Sequence, residues 1–137
     1  MRSAQHLLYV SLKYTKTCDV ILNLIERWKN TIDRCIELLL NKLKKQKVIK
    51  AIPAAPKPKV ELLSKVFKKE QAVKNALELY SLFRKIPSLE LIREHEFRKN
   101  VSLIVINTEK VSIDMEKLKE WQGILEKFIN FVRVFIS

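Results

Sequence analysis

The chain has 137 residues, a net charge of +12, 47% apolar residues and a single glycine. This composition fits one modest domain with a packed core, excludes glycine-rich phosphate loops and favours long helices. No uncharged apolar run approaches the ~18 residues that span a bilayer, and the apolar patch at residues 7–10 is too short for the core of a signal peptide. We expect a soluble intracellular protein, in the cytoplasm or nucleoid, or within a virion if the source is viral.

The first predicted element covers residues 4–49, where apolar side chains keep one heptad phase and no glycine or proline occurs. The pattern predicts one long helix, with a helical hairpin that turns near Asn30 and Thr31 as the alternative. We favour one helix because a turn has no reason to preserve the heptad phase. Cys18 and Cys35 lie on the apolar stripe, so we expect buried thiols rather than a disulfide.

Three prolines between residues 51 and 59 end this helix, because proline lacks a backbone donor and forces the preceding residue out of the α region. They predict an extended, polyproline-like spacer over residues 51–59. The chain therefore divides into a basic helical arm at residues 1–50, a proline–lysine spacer, and a helical bundle domain at residues 60–137.

The first half of the bundle domain is predicted to hold two helices. One covers residues 60–86 and is ended by Pro87, and the other covers residues 89–100 and is capped by Ser88. Residues 101–113 are rich in β-branched side chains, and they continue the helix or form a short β-hairpin.

The last predicted helix covers residues 114–136 and has an unbroken apolar seam. The end of this helix, residues 128–136, is apolar around most of its circumference, so we expect it to be buried in the core or in a subunit interface. The expected fold class is thus all-α, with a long basic N-terminal helix or hairpin and a compact C-terminal bundle. The predicted core or interface seam residues are Trp28, Trp121, Leu125, Phe128, Val132 and Phe135.

Positive charge is concentrated between residues 42 and 69, which hold ten lysines and one acid, Glu61. Residues 1–69 carry a net charge of +11 and residues 70–137 only +1. Lysine is a hydrated point charge that suits backbone phosphates rather than base edges, and glutamate does not rise with lysine as it does in heat-adapted proteins. We therefore predict phosphate-backbone binding to nucleic acid by the lysine block, which is Lys42, Lys44, Lys45, Lys47, Lys50, Lys57, Lys59, Lys65, Lys68 and Lys69.

Residues 93–99 form the densest cluster of titratable groups, and ion pairs on an exposed helix face explain it without chemistry. The helical character and this cluster are similar to the HEPN class of ribonucleases, whose active site needs an arginine followed, after several residues, by a histidine. Arg93 and His95 are two residues apart, and Arg84 precedes His95 by eleven, so the resemblance transfers no residues. A small helical ribonuclease that uses His95 and a nearby arginine is an alternative function.

No metal or cofactor is expected, because the histidines and cysteines lack ligand spacing. No serine or cysteine has a sequence context for nucleophilic catalysis. Membrane binding is the weaker rival, because the basic arm lacks a separate exposed apolar face.

The main hypothesis is a non-enzymatic protein that coats DNA or RNA, chromatin-like or nucleocapsid-like, and that associates with itself or with a related helical subunit. Its layout is similar, at the level of architecture only, to the small helical coat proteins of filamentous archaeal viruses. A helical subunit of a ribonucleoprotein or replication complex is the second alternative.

Overall fold

The computed structural model describes residues 17–95, 101–107 and 109–137. In these ranges the chain is mostly helical, with a small antiparallel sheet of three strands that lie in the order of the sequence. The helices are α1 (Cys18–Lys45), α2 (Pro56–Val66), α3 (Gln71–Lys85) and α4 (Met115–Ile136). A short 3₁₀ turn (Ile86–Ser88) follows α3, and the strands are β1 (Glu90–Glu94), β2 (Ser102–Ile106) and β3 (Lys110–Ile113).

The first helix, α1, is one unbroken helix of 28 residues, so the hairpin alternative near Asn30 is wrong. The helix begins after Thr17, whose hydroxyl accepts a hydrogen bond from Val20 N at 3.3 Å and so satisfies one free donor of the first turn. Residues 4–16 of the predicted helix lie outside the described residues. Cys18 and Cys35 are buried free thiols.

The predicted extended spacer at residues 51–59 is wrong for its second half, because α2 begins at Pro56 and contains Pro58. Proline fits the first turn of a helix, where the backbone N–H groups have no partner within the helix. α1 also ends at Lys45, four residues before its predicted end, so the non-helical connection covers residues 46–55 rather than residues 51–59.

The single helix predicted for residues 60–86 is divided by a turn at residues 67–70. Glu70 N donates to Phe67 O at 2.9 Å within this turn. The Phe67 ring is buried and packs edge-on against Phe131 and Phe135 of α4. Burial of that ring stabilises a turn in a segment without glycine or proline.

The helix predicted at residues 89–100 is also wrong over its described part, because β1 pairs with β2 in antiparallel register, with Leu91 opposite Val105. Ser88 does not cap a helix, and its hydroxyl instead donates to Lys85 O at 2.9 Å. Residues 96–100 lie outside the described residues. Over residues 101–113 the hairpin alternative is the observed one, since β2 pairs with β3.

One continuous hydrophobic core joins α1, α3, α4 and the sheet. The predicted helical arm therefore shares its core with residues 60–137. An aromatic row crosses the centre, where the Phe83 ring lies 6.4 Å from Trp28 and 5.3 Å from Trp121. Of the seam residues, Phe135 is half-buried, and the buried ones are Trp28, Trp121, Leu125, Phe128 and Val132.

Helices α1 and α4 run in parallel. At one end, Cys18 Sγ donates to Ser102 O of β2 at 3.2 Å, and β2 pairs with the strand that leads directly into α4. At the other end, Ile136 of α4 shares a groove with the last two turns of α1. Both helices therefore end at the same end of the molecule.

Candidate nucleic-acid interface

The lysine block lies mainly at the surface. Lys42 and Lys59 are half-buried, and the other eight lysines are exposed. Lys50 lies in the connection between α1 and α2, and Lys57 lies in the first turn of α2. The exposed lysines are Lys44, Lys45, Lys47, Lys50, Lys57, Lys65, Lys68 and Lys69.

The lysines at the end of α1 belong to a Schellman motif. Lys47 N donates to Lys44 O and Val48 N donates to Leu43 O, both at 3.0 Å, which satisfies two carbonyls at the end of the helix. Lys47 has φ 61°, in the left-handed region where glycine is the common residue. The neighbouring lysines also stabilise the negative end of the helix dipole, so part of their role is structural.

Lys59 differs from the rest of the block because its ammonium forms an ion pair with Glu37 of α1. The pair connects α2 to α1 and partly neutralises this lysine. Glu61, the single acid of the block, is exposed on the same helix. Lys59 is therefore a weaker candidate for phosphate binding than the eight exposed lysines.

Two groups of lysines flank the end of α4. The first lines an open groove of about 690 Å³, formed by Leu38, Asn41, Lys42, Lys44, Lys45 and Ile136. The second lies in the turn at residues 67–70, which packs against α4 through Phe67. We call this surface, formed by the last turns of α1 and α4 and by that turn, the basic end.

The fold brings the lysines closer together than the predicted extended spacer would. A polyproline-like spacer would separate them along the chain, whereas the helical start of α2 and its ion pair to α1 fold the block back on the bundle. Among the described residues, no acid lines the groove of the basic end. Like charges on one surface add to a local positive potential that attracts polyanions.

The sequence analysis missed an apolar component of the same surface. Leu38 is 39% exposed, Val48 is 56% exposed and Val134 is 76% exposed. All three lie in or next to the last turns of α1 and α4. The only signal in the sequence was the end of α4, which is apolar around most of its circumference.

The described part of the cluster, residues 93–95, is not the helix face that the sequence predicted. Arg93 lies on β1, and its guanidinium contacts the Asp19 carboxylate of α1 at 2.8 Å. His95 follows β1 with φ 53° and is exposed. Arg84, on α3, lies with its guanidinium carbon 5.9 Å from the centre of the Tyr80 ring. Arg98 lies outside the described residues.

A polar contact also joins α3 to α1, because the Tyr80 hydroxyl of α3 donates a hydrogen bond to the Asp33 carboxylate of α1. Burial, and then this hydrogen bond, raise the pKa of Tyr80 above its ordinary value. Burial also raises the pKa of the Cys35 thiol. Both groups are therefore neutral at physiological pH and belong to the packing of the bundle.

Within the described ranges, no three His, Cys, Asp or Glu side chains are grouped in a way that could hold a metal ion. No helix in those ranges is long and apolar enough to cross a membrane. Comparison with known proteins gives no match to a family model, a curated protein or a solved structure.

Proposed function

We propose that this protein binds nucleic acid through its phosphate backbone, without sequence preference, and coats or packages it as an oligomer without acting as an enzyme. The observation that carries the proposal is the basic end, where exposed lysines of α1 and of the turn at residues 67–70 flank the end of α4. A genome-coating role would place the protein in the cytoplasm or nucleoid, or in a virion.

The physical basis is counterion release. Each lysine that neutralises a phosphate releases condensed cations from the polymer, so affinity depends on the number of contacts and falls steeply with salt. Lysine contacts of this kind carry no information about bases. The chain has no arginine between residues 42 and 69. This absence supports binding to the phosphate backbone over recognition of bases, for which arginine is the usual residue.

The backbone at Lys47 supports a role for its charge. A residue with a side chain costs about 1–2 kcal/mol in the left-handed region, where glycine is unstrained. Lysine nevertheless occupies this position at φ 61°. Strained residues that persist in a fold are often functional, and an ammonium at the very end of α1 adds to the potential of the basic end.

Two variants that lose the same charge test the proposal. In the first, five lysines of the block become glutamine: Lys44, Lys45, Lys65, Lys68 and Lys69. In the matched control, five exposed basic residues elsewhere become glutamine: Arg27, Lys85, Lys110, Lys119 and Lys127. Both chains are titrated by fluorescence anisotropy against two short duplexes of unrelated sequence at one fixed, low salt concentration.

The block variant is expected to lose about 100-fold or more in affinity for both duplexes, and the control is expected to lose less than about tenfold. Equal losses in the two variants would mean that net charge alone matters and would contradict the proposed site. Strong preference of the unmodified protein for one duplex would contradict backbone binding.

A further inference from the structure

A second surface of the molecule is apolar and acidic. On the outward face of the sheet, Ile92 of β1 lies opposite Ile104 of β2, and Ile92 is 38% exposed. Glu90 and Glu94 lie two residues to either side of Ile92, so they share its face because side chains alternate along a strand. We call Glu90, Ile92, Glu94 and Ile104 the acidic sheet face.

The inward face of the same sheet packs on the core. Leu103, Val105 and Ile113 are buried, so the register of all three strands is fixed and the acidic sheet face stays outward. On the outward face of the sheet, Lys110 of β3 lies opposite Ile106 of β2, on the other side of the sheet from β1. The two glutamates on β1 therefore form the acidic margin at one edge of the sheet.

The basic end has the complementary pattern. Leu38 and Ile136 provide an apolar groove, and Lys42, Lys44 and Lys45 line its border. Both surfaces thus combine apolar side chains with charged ones, of opposite sign on the two surfaces. Protein interfaces commonly combine an apolar centre with a polar rim, and complementary charge fixes their orientation.

The two surfaces lie at different ends of α1. Cys18, at the start of α1, contacts β2, whereas Leu38 and Lys45 lie in the last two turns of the helix. From Cys18 to Asn41 the helix rises by about 35 Å at ~1.5 Å per residue. One protomer can therefore present both surfaces to two neighbours at the same time.

From this complementarity we propose that the acidic sheet face of one copy docks in the groove of the basic end of the next copy. A contact between two different surfaces leaves one free surface on each outer copy, so further copies can add at both ends. Unless the rotation between copies closes a ring, the result is a linear array. In such an array Lys42, Lys44 and Lys45 border the contact between copies. The exposed lysines outside the groove then repeat along the polymer, and they are Lys47, Lys50, Lys57, Lys65, Lys68 and Lys69. The inference rests on the proposed function for its biological purpose, but the contact itself needs no nucleic acid.

Two single-surface variants test the docking. Ile92→Asp replaces the apolar centre of the acidic sheet face by a carboxylate, and Leu38→Asp does the same in the groove, where it also offsets the positive charge of Lys42, Lys44 and Lys45. Each change removes an apolar contact and requires a hydrated carboxylate to be desolvated on docking, so each variant alone is expected to self-associate about tenfold or more weakly than the unmodified chain. Association is followed without nucleic acid by sedimentation velocity at low salt, and circular dichroism verifies folding.

The decisive measurement is the equimolar mixture. Each variant keeps one intact surface, so the mixture is expected to form heterodimers that grow no further, while the unmodified chain forms species larger than dimers. A dimer interface between two identical surfaces would instead leave one variant associating by itself and the mixture no better than its parts. That result would overturn the proposal, and so would an unmodified chain that stays monomeric. If either aspartate variant does not fold, Ile92→Ser and Leu38→Ser replace them with the same expectation.

A short duplex that holds a single protomer separates the two proposals. Ile92→Asp is expected to bind it with the affinity of the unmodified chain and to lose cooperative loading only on a long duplex. Binding to the short duplex together with a monomeric mixture would overturn the docking alone. Heterodimers without any duplex binding would overturn the proposed function alone.

Discussion

The ring of Phe67 meets the ring of Phe135 edge-on, with 5.1 Å between the ring centroids and 88° between the ring planes. Phe131 completes the group, since its centroid lies 5.4 Å from Phe67 and 6.0 Å from Phe135. The three rings hold the turn at residues 67–70 against α4, and they therefore keep Lys68 and Lys69 at the basic end.

Replacing Phe67 with alanine is expected to lower the free energy of unfolding by about 3–5 kcal/mol, because it removes a buried ring and leaves a cavity. Urea denaturation followed by circular dichroism measures this change. Val134→Ala is the control, since Val134 is 76% exposed and its truncation should change stability by less than about 0.5 kcal/mol. A loss below about 1 kcal/mol for Phe67→Ala would contradict the role of the ring in fixing the turn.

Lys47→Gly is expected to raise the free energy of unfolding by about 1 kcal/mol, because glycine occupies φ 61° without strain. The same variant should bind duplex DNA more weakly, since it loses one ammonium. Lys47→Gln is the matched control, which loses the charge and keeps the strain. If the glycine variant is no more stable than the glutamine variant, a side chain at this position causes no measurable backbone strain.

Tyr80→Phe is expected to lower the free energy of unfolding by about 1.5 kcal/mol at neutral pH, because Asp33 loses a hydrogen-bond donor. The pKa of Tyr80 is raised in the folded protein, above its value of about 10 in an unfolded chain. A raised pKa means that this stabilisation is complete below about pH 10 and is lost as the pH rises toward the folded-state pKa.

The wild-type chain should therefore lose stability above about pH 10 more steeply than Tyr80→Phe, in urea titrations at a series of alkaline pH values. Cys35, whose pKa burial also raises, contributes to the alkaline loss in both chains and cancels in their difference. If the free energy of unfolding of the two chains falls in parallel with rising pH, the folded protein does not raise the pKa of Tyr80.

The ribonuclease alternative predicts metal-free cleavage of RNA that depends on His95. We expect no cleavage, because His95 is exposed beyond the end of β1 and Arg93 is engaged with Asp19. RNA incubated with a chelating agent and either the unmodified chain or His95→Ala should stay intact on a denaturing gel. Cleavage by the unmodified chain that His95→Ala abolishes would establish the alternative.

Much of the helical framework could be predicted from local patterns. α1 and α4 each bury one face against the core, and a helix with one buried face has apolar residues at regular spacing in its sequence. The lysine block was visible as a count of charge. Its arrangement at the basic end was not, because it depends on the contact of Phe67 with α4.

The errors have one cause, which is that tertiary contacts outweigh local preference. Residues 67–70 contain no glycine or proline, and the burial of Phe67 against α4 accounts for the turn there. Residues 89–94 carry a helix-like pattern with a favourable cap, yet pairing with β2 makes β1 a strand. In the sequence, Pro56 and Pro58 indicated a non-helical spacer after the first helix. In the structure both lie in the first turn of α2, where proline is compatible with helix.

The salt dependence of duplex binding tests the central claim most directly. A plot of log affinity against log salt should be linear for the unmodified chain, with a slope of about −5 to −7 if six to eight lysines contact phosphates. The five-glutamine block variant should lose about 4 units of that slope, and its matched control should keep most of it. A slope near zero for the unmodified chain, or the same loss in both variants, would contradict phosphate binding at the basic end.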